Sequence, residues 1–133
     1  MKVLRKLCGS IEAFASVAES WVYSYFEQVG FRHKYSFVFK LAESEWDGKE
    51  SDVRKAYENL LEKHGNDFKA FTEIVMCVNL MAWFHAQLER EGVPEAEKWG
   101  VFYSDLYDDA NDRFYQRFED NEEACDYYFE CTD

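Results

Sequence analysis

Proline and glycine are scarce in this chain, with Pro94 the only proline and six glycines in 133 residues. Since turns between short strands depend on these two residue types, their scarcity favours a few long helices. No run of about 18 consecutive apolar residues occurs, so the sequence predicts no membrane-spanning helix. Glu12 interrupts the apolar stretch that a signal peptide would need. We therefore expect a cytoplasmic protein that does not bind membranes.

The motifs of common catalytic and metal sites are also missing. The sequence contains no Glu-x-x-His, no His-Glu-x-x-His, no glycine-rich phosphate loop and no Gly-x-Ser-x-Gly elbow. Four cysteines form no Cys-x-x-Cys pair, and three histidines lie in three separate predicted segments. We therefore expect no metal, no cofactor and no catalytic residue, which favours a protein that is not an enzyme.

Aromatic residues and negative charge are what the chain has in excess. Twelve Phe, nine Tyr and four Trp supply a hydrophobic core without disulfide bonds, so we expect free thiols and a single domain over residues 1–133. The formal net charge is −12. Because phosphates repel such a surface, direct binding to nucleic acid is not expected.

The spacing of the apolar residues predicts a compact all-α bundle of about five helices. Three- and four-residue steps predict long helices over residues 10–29, 51–64, 67–90 and 95–120, and a short helix or docked tail over residues 121–133. Residues 67–90 are apolar around most of the helix circumference, which is typical of a central helix. Residues 31–46 fit both a strand and a helix; we favour a helix because a lone strand would have no partner.

Glu73, Asn79 and His85 are polar residues at positions of the central segment where an apolar residue would be easier to bury. One hypothesis is a small polar pocket, and with it a small-molecule or metal-dependent enzyme. The favoured interpretation is structural, with His85 a core histidine bonded to a buried carbonyl or carboxylate. Glu73 and Asn79 would then fix the helix register, because core polar groups need partners whether or not a ligand binds.

A row of acidic residues follows helical spacing near the C-terminus. The row comprises Asp105, Asp108, Asp109, Asp112 and Glu119, opposite the apolar stripe of the last long helix, which is predicted to face the core and consists of Trp99, Tyr103, Leu106, Ala110 and Phe114. Residues 105–133 hold eleven acidic side chains against two arginines, a balance of 2 − 11 = −9. One interpretation is a merely solvated helix face. The functional interpretation is a docking surface for a basic or DNA-binding protein, in one version a DNA mimic.

Four stretches resemble a group of small proteins that are associated with mobile genetic elements of Bacteroidetes. They are RHKYSF (32–37), FTEIVMCVN (71–79), YSDLY (103–107) and YYFECTD (127–133). The chain differs from the group's pattern at Leu80 and Met81, where His-Lys is expected, and at Cys131, where Thr is expected. The resemblance implies a bacterial intracellular protein and supplies no activity.

Together these observations predict a non-enzymatic accessory protein that binds another macromolecule through the acidic row. A homodimer is a further hypothesis, with Tyr127, Tyr128 and Phe129 as exposed aromatics at its interface.

Overall fold

The computed structural model describes residues 36–132. Within this range the chain forms five helices and no strand, which confirms the predicted all-α bundle. The helices are α1 (Ser36–Trp46), α2 (Glu50–His64), α3 (Phe68–Arg90), α4 (Ala96–Phe118) and α5 (Glu122–Thr132). The helix predicted over residues 10–29 lies outside the described residues.

The described part of the ambiguous stretch, residues 36–46, is helical. Phe37, Val38, Leu41 and Ala42 are buried, whereas Lys40 is exposed. This period of three and four residues places one face of α1 against the core, and an alternating strand would have buried a different set. The hydrophobic period therefore decides in favour of the helix.

Helix α3 is the centre of the bundle, as its composition predicts. It packs against each of the other four helices. Thirteen of its 23 residues are buried, including Thr72 and His85. Asp67 caps its first turn by accepting a hydrogen bond from the Lys69 backbone N–H at 2.9 Å. Within the described residues, no helix has the length and apolarity needed to cross a membrane.

Contacts between aromatic rings join α3, α4 and α5. Phe71 of α3 meets Phe114 of α4 edge-on at 5.5 Å, and Tyr128 of α5 stacks on Phe114 at 4.0 Å. Burying each such ring stabilises the fold by about 1.5–3 kcal/mol, and a well-placed ring pair adds about 0.5–1.5 kcal/mol. These contacts fix the position of the acidic C-terminal third.

The connection between α3 and α4 contains two residues with a left-handed backbone. Gly92 has φ +79°, which a glycine adopts without steric cost. Glu95 has φ +65°, a conformation that is unusual for a residue with a side chain. Helix α4 consequently begins at Ala96, one residue after the predicted start.

Gly100 offers a test of how closely α4 approaches α3. A methyl group added here would meet the Ala86 backbone nitrogen and the His85 Cβ at 3.8 Å, an ordinary contact distance. Because glycine costs a helix interior about 1 kcal/mol relative to alanine, Gly100→Ala is expected to stabilise the protein by up to about that amount. Urea unfolding followed by circular dichroism measures the change. A loss of stability would mean that the two helices lie closer than described.

The three described cysteines, Cys77, Cys125 and Cys131, are free thiols. Burial raises the pKa of Cys131 from 9.0 to about 11. The folded state therefore favours the protonated thiol, and this stabilisation is present below about pH 9 and lost as the pH rises through about 11. At pH 8 the folded chain should hold about 100-fold less Cys131 thiolate than the unfolded chain, since each pKa unit is a tenfold change.

We expect iodoacetamide at pH 8 to alkylate Cys131 about 100-fold more slowly in the folded protein than in urea, since the thiolate is the nucleophile. Quenched time points and peptide mass spectrometry give the rate at each cysteine, with Cys125 as a less buried comparator on the same helix. Equal Cys131 rates in both states would contradict the prediction.

Candidate functional site

His85 lies at the centre of a buried hydrogen-bond network rather than in an open pocket. Its Nε2 atom is 2.8 Å from Oε2 of Glu45 on α1, and its Nδ1 atom is 2.9 Å from the Met81 carbonyl oxygen. Tyr103 of α4 donates its hydroxyl hydrogen to the other carboxylate oxygen, Oε1 of Glu45, at 2.6 Å. Three helices are thus joined by three side chains, of which His85 and Tyr103 are fully buried and Glu45 is 2% exposed.

The donors and acceptors of the network fix most of its proton positions. A carbonyl oxygen only accepts, so the Nδ1 atom of His85 carries a hydrogen. One further proton lies between His85 Nε2 and Glu45 Oε2. Whichever atom holds it, the His85–Glu45 pair has no net charge. Both ring nitrogens of His85 and both carboxylate oxygens of Glu45 therefore have a hydrogen-bond partner. Such complete pairing makes burial of the two titratable groups tolerable.

Aromatic rings enclose the network. The Trp99 ring is 5.9 Å from that of Tyr103 and 6.2 Å from that of His85. Burial raises the pKa of Tyr103 well above its usual value, and the Glu45 charge and hydrogen bond raise it further. Tyr103 therefore remains a hydrogen-bond donor at physiological pH.

The contacts of His85 agree with the structural interpretation, because its ring nitrogens bond the Met81 carbonyl and the Glu45 carboxylate. Sequence reasoning missed Glu45 as its partner. A signal was present: Glu45 follows Val38 and Leu41 by seven and four residues and so lies on the buried face of α1. Tyr103 was predicted as a core residue, and its hydroxyl role became visible only from the fold.

The structure does not bring Glu73, Asn79 and His85 together. Along α3, Glu73 and His85 are separated by about 18 Å, from a rise of about 1.5 Å per residue. Glu73 lies near α5, where its charge helps to raise the pKa of Cys131 after burial, the main cause. Glu73 and Asn79 are half-buried. Among the described residues, no three His, Cys, Asp or Glu side chains are grouped so as to hold a metal ion.

Four members of the acidic row face outward, three on α4 and Glu119 directly after its last residue, Phe118. Asp105, Asp108, Asp112 and Glu119 are exposed, as the spacing predicts. Asp109 differs, since its side chain turns toward α2, where it accepts a hydrogen bond from the Tyr57 hydroxyl at 2.9 Å. The reason is rotational: Asp109 lies about 100° around the helix from Asp108, which brings it to the α2 side.

Both arginines of residues 105–133 are directed toward α2 or the turn that follows it. Arg113 pairs with Glu58 of α2 and, at 3.5 Å, with Asp109. Arg117 donates to the Asn66 side chain at 3.4 Å. The carboxylates on the outer side of α4 therefore remain exposed, whereas Arg113 and Arg117 are bonded to residues of α2 and of the turn after it.

Helix α5 adds exposed carboxylates to those of α4. We define the acidic face as six of the exposed carboxylates on α4, on α5 and in the turn between them: Asp105, Asp108, Asp112, Glu119, Glu122 and Asp126. Within residues 36–132, none of these six side chains forms an ion pair. Among the described residues, the acidic face is thus a region of negative charge without ion-pair partners, carried by two helices that pack on the core.

Two exposed aromatic rings accompany the acidic face. Phe129 of α5 is 60% exposed and Tyr115 of α4 is 40% exposed. The predicted exposure of Tyr127 and Tyr128 requires correction. Tyr128 is buried because its ring stacks on Phe114, and Tyr127 is half-buried because its ring packs on Phe68. Of the three aromatics proposed for a dimer interface, Phe129 alone is freely accessible.

A shallow cleft of about 440 Å³ lies at the Asp105 end of the acidic face. Two cations, Arg54 and Lys98, and two carboxylates, Glu50 and Asp105, are among its lining residues. The Arg54 guanidinium lies 5.9 Å from the centre of the Phe102 ring. Because both signs of charge line the cleft equally, it offers little selectivity for a charged ligand.

The buried network predicts different costs for two substitutions of Glu45. In Glu45→Gln, the side-chain carbonyl can still accept from Tyr103 and the amide can donate to His85, so the expected loss is below about 1.5 kcal/mol. In Glu45→Ala, both partners lose their hydrogen bonds inside the core, and the expected loss is about 3–5 kcal/mol. Urea unfolding measures both. Equal losses for the two variants would contradict the prediction, because they would show that the hydrogen bonds which glutamine preserves to Tyr103 and His85 do not stabilise the fold.

Comparison of this chain with known protein families, with curated proteins and with solved structures finds no match.

Proposed function

We propose that this chain is a non-enzymatic, cytoplasmic accessory protein that binds a basic protein through the acidic face. The observation that carries the proposal is the division of charge on α4. Arg113 is paired with Glu58 of α2 and Arg117 with Asn66 in the turn that follows α2, whereas Asp108, Asp112 and Glu119 stay exposed on the other side. Charge arranged in this way attracts a cationic partner and raises its association rate.

The support beneath the acidic face favours recognition of a defined partner. Helix α4 is held to α3 by buried aromatic packing and to α1 by the Tyr103–Glu45 hydrogen bond. Carboxylates on such a helix keep fixed spacings, with a rise of about 10.5 Å between Asp105 and Asp112 and again between Asp112 and Glu119. A rigid pattern of charge loses less entropy on binding than the same charge on a mobile tail.

Two other versions of the function have less support. A DNA mimic would compete for a basic cleft through charge alone, yet two exposed aromatic rings accompany the acidic face. An enzyme built on Glu73, Asn79 and His85 would need these side chains to converge, but they are spread along α3, and His85 is sealed between Glu45 and Met81. The acidic face is therefore the better-supported candidate for the functional surface.

The proposal predicts that charge reversal on the acidic face abolishes partner binding. We would immobilise the wild-type protein and the double variant Asp108→Lys/Asp112→Lys, incubate both with bacterial lysate at low and high salt, and identify retained proteins by mass spectrometry. A basic protein should be retained by the wild type at low salt, released at high salt as screening increases, and lost from the variant.

A matched control is Glu43→Lys/Glu62→Lys, which changes the net charge equally at two exposed positions on α1 and α2. This control variant should retain the basic partner protein from the lysate as the wild type does. If both double variants lose it alike, net charge rather than the acidic face is responsible. If Asp108→Lys/Asp112→Lys binds as the wild type does, the proposed function is wrong.

A further inference from the structure

Phe129 and Tyr115 lie on facing edges of α5 and α4. Cys125, one turn before Phe129, donates its thiol hydrogen to the Phe118 carbonyl oxygen at 3.2 Å, so this edge of α5 borders α4. Tyr115 meets the Tyr128 ring edge-on at 5.4 Å, so its edge of α4 borders α5. The two exposed rings therefore flank the line of contact between the helices, which we call the α4–α5 seam.

Carboxylates of the acidic face lie on both sides of the α4–α5 seam. On α4, Asp112 precedes Tyr115 by three residues and Glu119 follows it by four, and on α5, Asp126 precedes Phe129 by three. Such spacings place side chains next to one another on a helix surface. The seam is thus an apolar strip, formed by two aromatic rings, between rows of negative charge.

We propose that the α4–α5 seam binds a basic amphipathic helix of a partner protein; this inference rests on the proposed function and names its partner chemistry. Apolar side chains of that helix pack on Phe129 and Tyr115 while its Lys and Arg side chains pair with the flanking carboxylates. Aromatic residues are enriched at protein interfaces, and Tyr is among the residues that most often form binding hot spots. A helix suits the seam because two packed helices offer no free backbone edge to which an extended strand could add.

Two other occupants of the seam are less compatible with its charge. A second copy of this chain would bring one acidic face against another, and like charges at close range cost binding energy. Nucleic acid would be repelled by the same carboxylates. Charge complementarity therefore selects a cationic polypeptide.

The test uses three labelled synthetic peptides of equal length and charge. The first contains Lys and Leu, with Leu at helical three- and four-residue spacing; the second is its scramble; the third replaces every Leu by Ser. Fluorescence anisotropy at low and high salt gives the affinity of each for the wild type, for Phe129→Ser and for Asp108→Lys/Asp112→Lys. Phe129 is 60% exposed, so its substitution should leave the fold intact, and circular dichroism checks this.

We expect the amphipathic peptide to bind the wild type at least about tenfold more tightly than the scrambled or Ser peptide, a difference of about 1.4 kcal/mol. Phe129→Ser should remove this preference without changing the affinity for the Ser peptide. Phe129→Leu, which keeps an apolar side chain, should retain most of it. Asp108→Lys/Asp112→Lys should weaken binding of all three peptides.

The outcomes separate this inference from the proposed function. If charge reversal weakens every peptide but Phe129→Ser changes nothing, the acidic face binds by charge alone and the seam proposal is overturned. If no peptide binds at low salt, or if charge reversal does not change the affinity of any peptide, both the seam proposal and the proposed function are wrong. If light scattering shows a wild-type dimer that Phe129→Ser dissociates, the seam is instead a self-association surface, which also overturns the proposal.

Discussion

The burial of Glu45 opposite His85 is the interaction on which the arrangement of α1, α3 and α4 depends. Taking a carboxylate and an imidazole out of water is costly, and that cost is offset only when each polar atom meets its partner. Here the partners come from three helices, with Tyr103 and the Met81 carbonyl completing the set. A shift of any one helix by a single turn would leave a buried polar atom unpaired. The network therefore specifies the helix register more than it adds to the net stability.

That register determines which carboxylates reach solvent. With Tyr103 directed inward to Glu45, the helical rotation of α4 turns Asp108 and Asp112 outward and brings Asp109 and Arg113 to α2. At α2, the Tyr57 hydroxyl donates a hydrogen bond to Asp109, and Glu58 pairs with Arg113. The buried polar network and the exposed acidic face are consequently two results of one helix orientation.

Much of this fold could be predicted from hydrophobic periodicity, and the failures have identifiable causes. The inner stripe of α4, with Leu106, Ala110 and Phe114, is buried as predicted because its period matches that of a helix. Glu45 was missed because charge normally indicates solvent, and its partner is 40 residues away in sequence. Asp109 was grouped with its neighbours because spacing alone does not reveal that α2 packs against that side of α4. The local hydrophobic pattern is sufficient to predict where the helices lie in the sequence. Contacts between residues that are distant in sequence become visible only in the folded structure.

The acidic face differs from a surface that serves solubility alone in one physical respect. Carboxylates hydrate well and need no partner, so charge by itself is compatible with a merely solvated helix. A ring such as Phe129, exposed by 60% beside them, gains nothing from water. Neighbouring Tyr128 shows that the same helix can bury a ring fully against α4. Phe129 is exposed because it lies on the outward edge of α5 and not on the side that packs against α4, and the proposed basic partner would cover this ring while pairing with the surrounding charge.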